Sequence, residues 1–91
     1  MSATDATFNT PDGWLSRNAQ GELLAGDVSL LALAGEYGTP LYVYSRQAIE
    51  ATWQRFAQAL ARRDARICFA VKANSNLAIL GLFAQLGAGF D

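Results

Sequence analysis

The sequence contains no histidine, and that absence excludes a good deal of chemistry. A Ser-His triad or a His-containing zinc site cannot be assembled from these residues, and no metal site is expected. Cysteine occurs once, as Cys68, so no internal disulfide can form and a reducing, cytoplasmic location is expected. Charge of either sign is sparse and scattered. Seven basic residues face eight acidic ones, and no like-charged run exceeds two residues. Binding to phosphates draws on clustered cations, so neither a nucleic-acid nor a membrane partner is expected. No apolar run approaches the length of a membrane span. The start, Met1 to Asp5, lacks both the basic and the apolar parts of a signal peptide. Lysine is also scarce: Lys72 is the only one, every other basic residue being arginine.

What remains is a composition suited to a globular fold, with 52% of the 91 residues apolar. Met1 to Pro11 reads as a polar, irregular leader. Two short apolar runs, at Trp14–Leu15 and Leu23–Leu24, flank Arg17-Asn18-Ala19-Gln20-Gly21 and predict a β-hairpin that joins a sheet made elsewhere. Asp27 or Ser29 can cap a short helix through Leu30, Leu31, Leu33 and Ala34, ended by Gly35 or Gly38. Leu41-Tyr42-Val43-Tyr44 reads as a strand entered through Thr39-Pro40.

Ser45 is the best-placed helix cap. Behind it Ile49, Thr52, Trp53, Phe56, Ala57 and Leu60 recur at three- and four-residue spacing, which predicts an amphipathic helix ending near Arg62-Arg63-Asp64. Ile67 to Val71 is apolar without alternation and suits a strand buried on both faces, ending on Lys72. Asn74-Ser75-Asn76 offers caps for a further helix with a stripe of Leu77, Ile79, Leu80, Phe83 and Leu86, and Gly87 and Gly89 mark its exit. Phe90-Asp91 opens another strand. Strands alternating with helices predict an α/β fold with a parallel sheet, read as the front portion of a longer (β/α)8 barrel of the TIM type. The expected division is a leader and hairpin over 1–27, belonging to a β-domain, and the first part of the barrel over 28–91.

Along the Ile67–Lys72 strand, Ile67, Phe69 and Val71 share one face and Cys68, Ala70 and Lys72 the other. Lys72 on this pattern is either an amine snorkelling to water where the chain leaves the core, or a reactive group at the C-terminal rim of a barrel, where active sites lie. A desolvated lysine amine loses its proton more readily, and the neutral amine can form a Schiff base with a carbonyl. Asn74-Ser75-Asn76 could bind an anion at a helix start, although capping explains the same residues. Cys68 lacks an activating base and is expected to be buried packing.

The stretch Phe69-Ala70-Val71-Lys72-Ala73-Asn74-Ser75-Asn76 resembles the pyridoxal-phosphate decarboxylases of the alanine-racemase-like barrel fold, whose cofactor lysine lies in a Tyr-Ala-x-Lys-x-Asn type motif. Gly38 to Ser45 resembles the Gly-Thr-Pro-x-Tyr-Val-Tyr-Ser segment of the same family, and Leu86 to Asp91 its Leu-Gly-x-Gly-Phe-Asp. The hairpin is also similar to that family, whose N-terminal strands join a C-terminal β-domain. The fuller match is to its diaminopimelate-decarboxylating branch.

The resemblance implies that Lys72 is the catalytic and cofactor-binding residue, carrying pyridoxal 5'-phosphate as a Schiff base. It implies decarboxylation of meso-diaminopimelate to L-lysine and carbon dioxide, a step of lysine biosynthesis, by a homodimer. Asp91 matches an acidic position near the cofactor in related decarboxylases. Phe69 departs from the tyrosine frequent in relatives. The family's phosphate-binding glycine turns, its cofactor-contacting His and Glu and its catalytic cysteine would lie beyond Asp91, so residues 1–91 alone are expected to be inactive. Two other readings stay open: a decarboxylase of the same fold acting on ornithine, arginine or carboxynorspermidine, and a non-catalytic cofactor-binding protein or fragment.

Overall fold

Hairpin turns and helix caps account for most of what the chain forms locally. The computed structural model describes residues 8–10 and 13–91. They fall into two units, Met1–Ala48 and Ile49–Asp91.

In the first unit four short strands form an antiparallel meander in sequence order: β1 (Phe8–Asn9), β2 (Leu15–Arg17), β3 (Leu23–Ala25) and β4 (Val28–Ser29). The expected hairpin is β2–β3, in the register Leu15 to Ala25, Ser16 to Leu24 and Arg17 to Leu23. Its turn is closed by side chains as well as backbone. Asn18 Oδ1 accepts the amides of Gln20 and Glu22 at 3.1 and 2.9 Å, and Arg17 donates to the Gly21 carbonyl at 2.8 Å. Gly21 sits at φ +80°, a backbone region that costs a side-chain-bearing residue strain.

Two expectations change here. The leader is not irregular throughout, because Phe8 and Asn9 pair with Arg17 and Ser16. Thr10 closes that hairpin: its amide donates to the Leu15 carbonyl at 2.9 Å, and its Oγ1 accepts the Leu15 amide at 3.2 Å. Met1 to Thr7 and Pro11 lie outside the described residues. The sheet also extends to β4, since Gly26-Asp27 makes a two-residue turn between the paired Ala25 and Val28. Glycine first, with positive φ at Gly26 only, is the arrangement that follows the twist of adjacent strands.

Ser29 then caps helix α1 (Leu30–Tyr37), its Oγ accepting the Ala32 amide at 3.1 Å. Gly35 lies inside that helix and Gly38 ends it, donating to the Ala34 carbonyl at 2.8 Å. Leu30, Leu33 and Ala34 form the half-buried face, whereas Leu31, expected in the stripe, is 81% exposed. An apolar groove of about 350 Å³ runs over Trp14, Leu23, Leu30, Ala34, Leu41 and Val43. The strand expected at Leu41–Tyr44 is absent. No neighbouring strand among the described residues pairs with it, and Tyr42 and Tyr44 stay exposed.

Helix α2 (Arg46–Ala59) starts where Ser45 Oγ accepts the Ala48 amide at 3.1 Å. It bridges the sequence boundary between the units. Ile49, Trp53 and Ala57, with Leu60 just past its end, make its half-buried stripe, a narrower one than expected, since Thr52 and Phe56 are exposed.

In the second unit β5 (Cys68–Phe69) pairs in parallel with β6 (Gly89–Phe90), with helix α3 (Leu77–Leu86) between them in sequence. This is a β-α-β unit, as the alternation predicted. Leu82, omitted from the expected stripe, is the one residue buried among those described, while Leu77 is 83% exposed. The rings carry the packing: Phe69 stacks on Phe83 with centroids 4.3 Å apart, and Trp53 meets Phe83 edge-on at 6.3 Å.

Candidate active site

Lys72 does not end a strand. The β5 ladder stops at Phe69, and a single 3-10 turn over Val71–Ala73 carries the lysine. The reason lies in where each amide finds its acceptor. Val71 N–H still donates across to the Asp91 carbonyl at 2.8 Å, but Ala73 N–H donates back to Ala70 at 3.0 Å and Asn74 N–H to Val71 at 3.1 Å. Local pairing replaces the ladder from that point.

The expected alternation holds from Ile67 to Phe69 and breaks at Ala70, which is half-buried like its neighbours. Ile67, Phe69 and Val71 are half-buried, and Phe69 lies against the ring of Phe83. On the opposite face Cys68 is exposed, with a free thiol, and Ala70 is half-buried. This corrects the reading of a strand buried on both faces and of Cys68 as buried packing. A parallel strand is enclosed only when elements cover both faces, and here α3 supplies one.

After the turn the chain is handed to α3 by asparagines. Asn74 Oδ1 accepts the Asn76 amide at 3.0 Å, and Asn76 Oδ1 accepts those of Ala78 and Ile79 at 2.9 and 3.4 Å. These bonds occupy first-turn donors that an anion would have used, so the geometry is that of capping. At the other end Gly87, in the left-handed region at φ +97°, caps α3 and leads into β6.

β6 returns beside β5. Gly89 N–H donates to Ile67 at 3.0 Å and Asp91 N–H to Phe69 at 2.9 Å. Asp91 thus lies, by its backbone, level with the start of the Lys72 turn. A Cβ on Gly89 would come within 2.8 Å of Cys68 Sγ, so the two strands meet there without room for a side chain. The Gly89–Cys68 approach was not foreseen from the sequence, and a glycine opening a strand was its only signal.

Lys72 itself is exposed. Among the described residues no carboxylate is paired with it. An apolar groove of about 360 Å³ is lined by Val71, Leu77, Leu80, Gly81, Ala84 and Phe90. A primary amine on a rigid turn, free of an acidic partner, is the donor that an aldehyde-bearing cofactor needs.

A family model described as "Pyridoxal-dependent decarboxylase, pyridoxal binding domain" matches residues 46–91. The chain belongs to this family. The match includes α2, β5, the Lys72 turn, α3 and β6. Over 71 residues the chain is 58% identical to the diaminopimelate decarboxylase of Pseudomonas fluorescens, covering 78% of this chain and 17% of that protein. It is 52% identical to the diaminopimelate decarboxylase of Vibrio cholerae, with the same shares covered. Among solved structures, a diaminopimelate decarboxylase from M. jannaschii superposes with a TM-score of 0.73 at 30% identity, covering 98% of this chain and 20% of that one. The same relative in co-complex with L-lysine gives 0.73 at 31% identity, covering 100% and 20%. The chain therefore spans about a sixth of the length of the curated relatives it matches. Its fold follows that of a pyridoxal-dependent decarboxylase over this span.

Proposed function

We propose that these residues belong to an enzyme that decarboxylates meso-diaminopimelate to L-lysine and carbon dioxide, and that Lys72 anchors its pyridoxal 5'-phosphate. The observation that carries this reading is the placement of the sole lysine. It stands exposed on a turn past the C-terminal end of β5, tied through Val71 to Asp91 just after β6, inside the stretch matched by the pyridoxal binding domain.

In this reading Lys72 holds the cofactor through its amine nitrogen. The turn's internal bonds, from Ala73 to Ala70 and from Asn74 to Val71, fix the backbone from which the amine extends. With the cofactor bound, Lys72 Nζ would also be a group able to take up or release a proton. When bound, the cofactor supplies an electron sink for the pair left behind by departing carbon dioxide.

The same reading makes residues 28–91 the first part of a (β/α)8 barrel and residues 1–27 a contribution to a β-domain. It makes the full-length protein a cytoplasmic homodimer. The identity to diaminopimelate decarboxylases supports the substrate.

The test is borohydride reduction of the full-length protein loaded with pyridoxal phosphate, followed by peptide mass mapping. The label is expected on Lys72, and a label on any other residue would overturn the assignment. Carbon dioxide release compared across meso-diaminopimelate, ornithine, arginine and carboxynorspermidine tests the substrate. Preference for any of the last three would remove diaminopimelate from the reading.

A further inference from the structure

Lys72 has an exposed side chain, and no hydrogen bond or ion pair among the described residues holds it. Its position is inherited from the backbone of residues 69–73. That stretch has two anchors. One is the backbone pair between Phe69, Val71 and Asp91. The other is the ring of Phe69, stacked on Phe83 at 4.3 Å with planes 17° apart, while Trp53 presses edge-on against Phe83 at 62°. The Lys72 turn connects β5 to α3, and the Phe69–Phe83 pair joins those same two elements face to face. The stack therefore sets the strand-to-helix separation that the turn must span. Because the Ala73–Ala70 bond closes the turn, a displacement of Phe69 carries Lys72 with it.

We propose that Phe83 is a positioning residue for Lys72, presenting its amine through the ring of Phe69. The inference rests on the reading of Lys72 as the cofactor anchor and adds the residue that aims it. Removing the stack frees the turn on its helix side while leaving its bonds to β6. A misplacement on the scale of an ångström costs turnover on the order of tenfold to a hundredfold.

The experiment uses the full-length protein and compares Phe83→Leu, which keeps bulk and loses the stack, with Phe83→Tyr, which keeps the ring. Leu86→Ala, on the same helix and half-buried, serves as a destabilised control. Hydrogen exchange at the Val71, Ala73 and Asn74 amides is measured without cofactor. Then kcat, KM and borohydride labelling are measured with saturating cofactor. Phe83→Leu is expected to lose protection at the turn and to lower kcat by about tenfold or more with KM little changed. Phe83→Tyr should restore both, and Leu86→Ala should disturb neither beyond its general loss of stability. Equal turn protection and kcat in Phe83→Leu and Leu86→Ala, with Lys72 labelled normally, overturns the positioning role alone. A wild-type label away from Lys72 overturns both the anchor and the inference built on it.

Discussion

The two units are built by opposite routes. In Met1–Ala48 every described strand pairs antiparallel with its neighbour in sequence. In Ile49–Asp91 Cys68 pairs in parallel with Gly89, with the whole of α3 between them. The first unit is therefore specified locally, by Asn18, Gly21 and Gly26 at its turns. The second depends on a helix packing back against a strand before any ladder can form. The candidate reactive lysine sits in the unit of the second kind, where its position is a consequence of non-local pairing.

Substitutions can sharpen that contrast, all made in the full-length protein. The largest effect is expected at Lys72. Lys72→Arg keeps the charge and removes the reactive primary amine, and turnover should fall on the order of a thousandfold or more, with folding unchanged by circular dichroism. Next comes the packing of the second unit. Leu82→Ala empties its most buried position and should cost about 2 to 4 kcal/mol, read from chemical denaturation.

Gly89→Ala should cost about 1 to 2 kcal/mol, because the new methyl meets Cys68 Sγ. Cys68→Ala in the same chain should recover part of that loss. A double-mutant cycle without coupling would mean that the contact does not govern strand pairing.

Capping compares the units directly. Asn76→Ala strips two amides of their acceptor and Ser29→Ala one, so the first should cost about 1 kcal/mol and the second less. The smallest effect is expected at Gly21. Gly21→Ala forces a side chain into positive φ and should cost about 0.5 to 1 kcal/mol, as a local loss of amide protection around residues 18–22. A global loss from Gly21→Ala would erase the distinction between the locally and non-locally built units.

Legibility in the sequence followed the same divide. The β2–β3 hairpin, the caps at Ser29, Ser45 and Asn76 and the exits at Gly38 and Gly87 were readable, because each depends on a few adjacent residues. The β4 strand was missed although Gly26-Asp27 carried its signal, since Ser29 belongs to both a strand end and a helix cap. Stripe membership was readable in part. Helical spacing names the residues that share a face, but only the neighbouring elements decide that Leu31, Phe56 and Leu77 stay exposed while Leu82 is buried. Lys72 could be singled out as a lone amine after an apolar strand. The asparagines after it could be read as caps for the same local reason.

By itself, then, the sequence determined the short-range features: turn glycines with positive φ, capping side chains, the spacing that puts Trp53 and Phe83 on helix faces, and a motif around a single amine. The tertiary structure alone decided where β5 stops and Lys72 enters its turn, that Cys68 stands exposed, and that Leu41–Tyr44 makes no ladder among the described residues. The reason is physical. A strand exists only where another backbone meets its hydrogen bonds, and a face is buried only where another element covers it. Both are properties of residues far apart in the chain, and Asp91 accepting from Val71 at the foot of the Lys72 turn is the clearest case.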